Sequence, residues 1–152
     1  MDYLVARKLN KQYGDHIALS DLDISLPRQS IFGLLGPNGA GKTSFIRIVA
    51  QIIKADSGSV MIDGEEIGRK HMSMIGYMPE ERGLYRKMEV ADLLMYFSRL
   101  KDVPETEARK RIGRWLKRLD LIHWADSKVD KLSKGMQQKL QFIATVIHEP
   151  SL

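Results

Sequence analysis

The feature that most constrains this chain is a glycine-rich stretch, GPNGAGKT at 36–43, which satisfies the pattern G-x-x-x-x-G-K-[ST] in full. Its glycines let the backbone curl so that several N–H groups point at one oxyanion, through conformations that a side chain would block. The stretch follows an apolar run, SIFGLLG, which is typical of a strand covered on both faces in a parallel sheet. It precedes KTSFIRIVAQIIK, which predicts a helix. The order strand, phosphate-binding turn, helix is therefore predicted.

The side chains of this turn have separate predicted tasks. The N-terminus of the following helix adds partial positive charge, Lys42 supplies a full charge beside the terminal phosphates, and the Thr43 hydroxyl can hold Mg²⁺. The residues predicted to bind the phosphates are Gly36, Pro37, Asn38, Gly39, Ala40, Gly41, Lys42, Thr43 and Ser44. The turn alone does not separate transporters, kinases, GTPases and helicases.

Composition narrows the class of protein. The chain has 152 residues, of which 43% are hydrophobic and 28% charged, and this balance is typical of a globular domain. It contains no cysteine, which excludes disulfides, thiolate zinc sites and thiol nucleophiles. No apolar run is long enough to span a bilayer, and the first residues lack a basic leader before an apolar stretch. The histidines at 16, 71, 123 and 148 show no metal-ligand spacing, and neither His148 nor Glu149 is expected to be catalytic.

The net charge of +5 is concentrated in the segment EARKRIGRWLKRLD. Its apolar residues recur at helical spacing and leave the cations off that stripe. The apolar residues are Ala108, Ile112, Trp115, Leu116 and Leu119, and the cations are Arg109, Lys110, Arg111, Arg114, Lys117 and Arg118. A solvated helix face is the favoured interpretation, and contact with anionic lipid or nucleic acid is the alternative.

Local patterns predict the other elements. A hairpin is expected around Gly14 and Asp15, a further strand and turn in DSGSVMIDGEEIG, and a short strand in MSMIGYMP that ends near Pro79. Three helices are predicted from apolar faces. These faces are Phe45, Ile46, Val49 and Ile53 in the first, Val90, Leu93, Leu94, Phe97 and Leu100 in the second, and Met136, Leu140, Ile143, Ala144 and Ile147 in the last, which stops at Pro150.

Together, GPNGAGKTS and LSKGMQQKL resemble the ATP-binding cassette (ABC) family, whose signature is usually written LSGGQ. The resemblance implies an α/β fold: a P-loop NTPase (RecA-like) core with an antiparallel β-subdomain and a helical subdomain, truncated before the strand that carries the family's Asp-Glu pair. The implied boundaries are 1–87 for the β-subdomain and nucleotide core, 88–134 for the helical subdomain, and 135–152 for the signature helix that returns to the core.

The same resemblance assigns residues outside the turn. Tyr13 matches the aromatic residue that stacks on adenine, and Ser133 and Gly135 match signature positions that face the γ-phosphate on a second cassette. Glu80 stands where the family commonly has a Gln that touches Mg²⁺ and the attacking water, so Lys42 and Glu80 are the expected catalytic residues and Thr43 and Glu80 the metal ligands. The signature departs from the family at Lys134 and Met136.

The implied function of the intact protein is the ATPase subunit of an exporter-type ABC transporter. Its implied partners are ATP, Mg²⁺, a second cassette bound head to tail in a homodimer or heterodimer, and an integral membrane permease. Its implied place is cytoplasmic, peripheral at the inner face of the cell membrane, with no nucleic acid expected. The alternative is a non-transport ABC protein that acts on the ribosome or on nucleic acid, although such proteins usually carry tandem cassettes or a long coiled-coil insert.

Two expectations concern the 152-residue chain itself. Because the family's Asp-Glu pair would follow Leu152, this chain is predicted to bind nucleotide poorly and not to hydrolyse it. The strand predicted at Ile31 to Leu35 would also have an uncovered apolar edge, which predicts aggregation, strand exchange or marginal stability.

Overall fold

Two long strands begin the chain and pair through a tight turn. Strand β1 (Asp2–Tyr13) runs antiparallel to β2 (His16–Pro27), and Tyr13 lies opposite His16. Gly14 in this turn has φ 58°, which a glycine adopts without steric cost. The predicted hairpin is confirmed.

Two further strands complete an antiparallel sheet. Strand β3 (Ser57–Ile62) pairs with β1, and β4 (Glu65–Glu66) pairs with β3, which gives the order β2-β1-β3-β4. Asp63 and Gly64 between β3 and β4 both have positive φ, as a tight hairpin turn requires. The buried apolar residues of the sheet are Tyr3, Leu4, Ala6, Leu9, Leu19, Val60 and Ile62.

Helix α1 (Lys42–Val49) follows the glycine-rich turn and is shorter than the sequence predicts. Phe45 and Val49 are buried as expected, but Ile46 is 42% exposed, so its predicted place in the core is wrong. Ile48 is buried instead. The helix ends because Gln51 adopts a positive φ of 59°, and Ile53 therefore lies beyond it.

The strand predicted at Ile31 to Leu35 is not formed, and this prediction is wrong. Residues 31–37 have no regular secondary structure, and Ile31 and Leu35 are 104% and 95% exposed. A strand exists only where a neighbour supplies hydrogen-bond partners. Over the described residues the sheet consists of β1 to β4, and none of these pairs with 31–35.

Three helices share a second core. Helices α2 (Val90–Leu100), α3 (Glu105–Arg118) and α4 (Lys134–Val146) bury the apolar faces that the sequence predicts. Leu100 is the exception, since it is 59% exposed at the end of α2. The buried cluster contains Val90, Leu93, Leu94, Ile112, Leu116, Leu121, Val129, Leu132, Leu140, Ile143 and Ile147. Short 3-10 helices cover Arg69–Met74, Ile122–Trp124 and Val129–Lys131.

The strand predicted in MSMIGYMP is also corrected. Its first residues belong to the 3-10 helix Arg69–Met74, and the backbone after them is irregular. One rung of pairing is present, because Leu152 N–H donates to Met74 O at 3.1 Å and Gly76 N–H donates to Leu152 O at 2.8 Å. This alternation is the hydrogen-bond pattern of neighbouring parallel strands.

The computed structural model describes residues 2–80 and 83–152. The chain divides into two compact units, one up to Met72 and one over Ser73–Leu152. The sheet and α1 belong to the first unit, and α2, α3 and α4 to the second. The subdomain limits at 87 and 134 stay predictions.

Candidate nucleotide-binding site

The glycine-rich turn leads directly into α1. Within it the Ala40 N–H donates to the Pro37 carbonyl at 3.2 Å, and the Phe45 N–H donates to the Gly41 carbonyl at 2.9 Å, which closes the first helical turn. By helix geometry, the N–H groups before Phe45 have no acceptor within the helix. These are the amides of Lys42, Thr43 and Ser44. The start of α1 therefore offers backbone donors to an anion.

Gly41 ties this turn to the sheet. Its φ is 78°, and a β-carbon there would lie 2.1 Å from the Ala18 carbonyl oxygen and 2.7 Å from Leu19 Cδ2. No side chain fits so close to backbone, so glycine is required both for conformation and for space. The start of α1 is consequently held against β2.

Lys42 folds back over the turn. Its Nζ donates to the carbonyl oxygens of Gly36 and Pro37, each at 2.7 Å. An ammonium has three N–H donors, so these two bonds leave capacity for a further acceptor. The side chain thereby both fixes the curl of the turn and places a positive charge at it.

The electrostatics around the turn favour an anion. The first turn of α1 carries no acidic side chain, and its dipole places partial positive charge at Lys42. The residues from Gly36 to Ala40 are exposed, so their backbone is accessible to a ligand. The donor set, namely first-turn amides, an ammonium and the exposed Thr43 hydroxyl, suits a phosphate group with its counter-cation.

Tyr13 lies in the same unit, at the end of β1. Its ring is 46% exposed, and its partner His16 is two residues along β2 from Ala18, roughly 7 Å by strand geometry. The Lys11 ammonium lies 5.4 Å from the Tyr13 ring centroid, which adds a cation to the ring that sequence reasoning did not include. Lys11 and Tyr13 are two residues apart on one strand and therefore share a face, and this spacing is the sequence signal that could have predicted the contact.

Asp56 holds that lysine in place. Its carboxylate accepts from Lys11 Nζ at 2.7 Å and from the Gln12 amide at 2.7 Å. The Lys11 hydrogen bond, followed by the Gln12 bond, lowers the pKa of Asp56 below its usual value. The Asp56 carboxylate therefore restrains the lysine side chain beside Tyr13.

Glu80 belongs to the second unit. It is exposed and follows Pro79, whose carbonyl accepts from the Gln141 side-chain amide at 2.8 Å. The next two residues of the loop, Glu81 and Arg82, lie outside the described residues. Sequence reasoning missed Gln141, because a bond between residues 62 positions apart leaves no local pattern.

Ser133 and Gly135 stand at the start of α4. Ser133 is the N-cap, and its Oγ accepts from the Met136 N–H at 3.3 Å. Gly135 is exposed, and a β-carbon there would meet nothing within 4 Å. Both signature positions are therefore accessible at a helix N-terminus.

The structure thus groups the predicted residues in two sets. Tyr13 and the turn 36–44 lie in the unit up to Met72, whereas Glu80, Ser133 and Gly135 lie in the unit from Ser73. Within residues 2–80 and 83–152, no three His, Asp or Glu side chains come together as a metal-ligand cluster. The hydroxyl of Thr43 is the predicted ligand that adjoins Lys42.

Comparison with known proteins decides the family. Residues 19–152 match the ABC transporter family. The chain belongs to this family. This confirms the resemblance to ABC transporter ATP-binding subunits that GPNGAGKTS and LSKGMQQKL indicate.

Several relatives match nearly the whole chain. It is 45% identical over 144 residues to the ABC transporter ATP-binding protein YhaQ of Bacillus subtilis, covering 95% of this chain and 48% of YhaQ. It is 44% identical over 144 residues to MJ1023 of Methanocaldococcus jannaschii, and 32% identical over 152 residues to the linearmycin resistance ATP-binding protein LnrL of B. subtilis. These matches cover 95% and 98% of this chain, and 52% and 49% of the relatives. The chain thus spans about half the length of the curated relatives that it matches.

Solved structures confirm the fold class. The cbiO1 protein of Clostridium perfringens, part of the ABC transporter complex cbiONQ, superposes with a TM-score of 0.81 at 28% identity, over 99% of this chain and 63% of that one. An ATP-binding subunit of an ABC transporter superposes with a TM-score of 0.87 at 24% identity, over 97% and 63% of the two chains. The fold is that of a P-loop NTPase with an antiparallel β-sheet and helices.

Among the described residues, none of the helices combines the length and the apolar character that a bilayer crossing needs.

Proposed function

We propose that the intact protein is the ATP-binding subunit of an ABC transporter, which binds and hydrolyses ATP to drive a separate membrane permease. The observation that carries this proposal is the turn before α1, where Lys42 lies over the carbonyls of Gly36 and Pro37 beside the first-turn amides. This arrangement concentrates positive charge and N–H donors on one small volume. A phosphate chain is the ligand that uses all of them.

Each part of the turn has a task in this proposal. The phosphates are bound by the backbone from Gly36 to Gly41 and by the amides of Lys42, Thr43 and Ser44. The Lys42 ammonium donates a hydrogen bond to a phosphate oxygen. The exposed ring of Tyr13 stacks on adenine, and stacking of this kind contributes on the order of 1 kcal/mol with little selectivity for the base.

The proposed Mg²⁺ ligands are Thr43 and Glu80. A hydroxyl and a carboxylate are hard oxygen donors of the kind that Mg²⁺ prefers, and Thr43 adjoins the lysine of the phosphate turn. When bound, the ion neutralises charge on the phosphates. Glu80 has the further proposed task of accepting a hydrogen bond from the attacking water, because a carboxylate accepts such a bond as readily as an amide oxygen.

Ser133 and Gly135 are proposed to contact the γ-phosphate held by a second cassette, bound head to tail. The Ser133 oxygen accepts from the Met136 N–H, so its own O–H proton remains available to a phosphate oxygen. The N-terminus of α4 adds its dipole to the same contact. The cap and the contact to the phosphate are therefore compatible.

Export, and a cytoplasmic place against the membrane, complete the proposal. Support comes from relatives whose names state drug resistance, LnrL and the daunorubicin resistance ATP-binding protein DrrA3 of Streptomyces coeruleorubidus, each 32% identical. Import relatives also match, since the Fe(3+) ions import protein FbpC of Mannheimia succiniciproducens is 30% identical.

The test is calorimetry of Mg·ATP binding to the full-length protein and to its K42A variant. Loss of a charge-assisted contact is expected to weaken binding by about tenfold or more. Lys54→Ala is the matched control, because Lys54 is an exposed lysine of the same unit outside the phosphate turn. No uptake of Mg·ATP by the full-length protein, or equal uptake by K42A, would show that the proposal is wrong.

A further inference from the structure

The segment that leads to Glu80 is bound along one face of α4. Gln141 Nε2 donates to the Pro79 carbonyl at 2.8 Å. Near the other end of the segment, His148 Nε2 lies 3.2 Å from the Ile75 carbonyl oxygen. Both contacts are between a side chain of the signature helix, or of the turn that ends it, and the backbone of residues 75–79.

Between these contacts the backbone itself touches α4. A β-carbon on Gly76 would lie 2.9 Å from the Thr145 carbonyl oxygen and 2.9 Å from Pro150 Cγ. Positions 141, 145 and 148 follow one another at helical spacing of four and three residues, so they share one face. The segment runs along that face, with Pro79 beside Gln141 and Ile75 beside His148.

Gln141 is the contact nearest to Glu80. Gln141 is only 7% exposed, and burial shields its hydrogen bond from competition with water. The acceptor, Pro79, immediately precedes Glu80 in the chain. The amide therefore fixes the backbone from which the Glu80 side chain extends.

We propose that Gln141 is a positioning residue for Glu80 and links it to the signature helix. The inference rests on the proposed ATPase function and on the task of Glu80 in it. Helix α4 begins at the Ser133 cap, so a displacement of that end by a bound phosphate moves Gln141 and, through Pro79, moves Glu80. The arrangement couples engagement of the second cassette to the placement of the carboxylate.

Loss of this bond has a specific kinetic consequence. Glu80 is proposed to act on the attacking water and to be one of two Mg²⁺ ligands, so its misplacement lowers kcat more than it lowers ATP affinity, which is set mainly by the turn at 36–44. Gln141→Met preserves the length and apolar stem of the side chain and removes the N–H donor. Loss of the bond to Pro79 corresponds to about a fivefold lower kcat, with a smaller change in KM for ATP.

A double-mutant cycle in the full-length protein tests the link. The ATPase kcat and KM are measured for wild type, Q141M, E80A and the double variant, and Gln138→Met on an exposed position of α4 is the matched control. We expect Q141M to lower kcat in wild type and to have no further effect once Glu80 is alanine. Q138M is expected to match wild type in both backgrounds.

Three results would overturn the proposal. These are an unchanged kcat in Q141M, effects of Q141M and E80A that multiply in the double variant, and an unchanged kcat in E80A. Multiplying effects would mean that Gln141 stabilises the fold without acting through Glu80. Failure of the proposed function is a separate observation, since it would appear as absent Mg·ATP binding and ATPase activity in wild type before any variant is compared.

Discussion

The carbonyl oxygen of Ala18 occupies the space that a side chain on Gly41 would need, because a β-carbon there would be 2.1 Å away. A strand of the antiparallel sheet thus sets the geometry of the turn that we propose to bind phosphate. The N-terminal hairpin does more than present Tyr13, since β2 also fixes where α1 begins. Stability and nucleotide binding should therefore be lost together at this position.

Gly41→Ala is expected to lower the free energy of unfolding by roughly 3 kcal/mol and to abolish Mg·ATP binding. The positive φ costs an alanine about 1–2 kcal/mol, and the backbone contact adds to this. Gly39→Ala is the control, because Gly39 also has a positive φ of 85° but a β-carbon there would meet nothing within 4 Å. Urea denaturation should show the larger loss at position 41, and equal losses would contradict the role of Ala18.

Arg111 is expected to stabilise the second unit far more than its neighbours on α3. Its guanidinium bonds the carboxylates of Glu107 and Glu149 and the Ile147 carbonyl, all at 3.1 Å, and its side chain is 16% exposed. Arg111→Ala would remove all three contacts of a largely buried guanidinium, although Glu149 would keep its bond to Arg114 at 3.0 Å. We expect a loss of roughly 2 kcal/mol in the free energy of unfolding.

The matched control for Arg111 is Arg109→Ala on the same helix. Arg109 also pairs with a glutamate four residues earlier, Glu105, but its side chain is 70% exposed. An exposed pair of this kind contributes little to the free energy of unfolding, because solvent screens it. Equal effects of the two substitutions in thermal denaturation would show that the buried contacts of Arg111 contribute little.

Local patterns explain why much of the fold could be predicted. The hairpin at Gly14 and the three-helix core follow from turn chemistry and apolar spacing, both of which are read within a dozen residues. The segment Ile31 to Leu35 could not be predicted in this way, because its conformation depends on hydrogen bonds from a distant neighbour. Its apolar composition favours a strand, but composition alone does not supply the neighbouring strand with which it would pair.

The same difference between local patterns and distant contacts applies to the candidate site. The phosphate turn is contiguous in sequence, so its motif predicts Lys42 and the glycines together. By contrast, the bond from Gln141 to Pro79 joins residues far apart in the chain and involves a common side chain and a backbone carbonyl. Contacts of that kind depend on packing, and sequence patterns do not encode them locally.

The exposed apolar segment should make the 152-residue chain associate. Ile31 and Leu35 are almost fully exposed, and Phe32 is 47% exposed. We expect the double variant I31K/L35K to shift sedimentation at micromolar concentration towards monomer, because lysines oppose pairing between chains. Leu100→Lys is the control, since Leu100 is a single exposed leucine at the end of α2. A wild-type chain that is monomeric at every concentration would contradict this prediction.

Ser133 allows the cap and the proposed phosphate contact to be separated. Ser133→Ala removes the acceptor for the Met136 N–H and is expected to cost about 1 kcal/mol of stability. Ser133→Asp keeps a capping oxygen but sets a carboxylate against the phosphate. The full-length S133D protein should therefore unfold like wild type in urea and yet fail to dimerise with ATP in sedimentation experiments. Dimerisation like that of wild type would remove Ser133 from the proposed contact.

His148 is expected to make stability depend on pH. Burial, and next the nearby charge of Lys101, lower the pKa of His148 below its usual 6.5, with Arg111 acting in the same direction and the Ile75 carbonyl against it. As pH falls below about 6.5, the unfolded chain binds a proton before the folded chain does, so the free energy of unfolding falls. The loss continues down to the lower pKa of the folded state, and above about 6.5 this histidine contributes no slope.

His148→Gln tests this sign. Glutamine can still donate to the Ile75 carbonyl, which His148 contacts at 3.2 Å, but it does not titrate. Urea denaturation between pH 5 and pH 8 should therefore show a flatter dependence below about pH 6.5 than in wild type. A slope that survives in H148Q would assign the titration to another group.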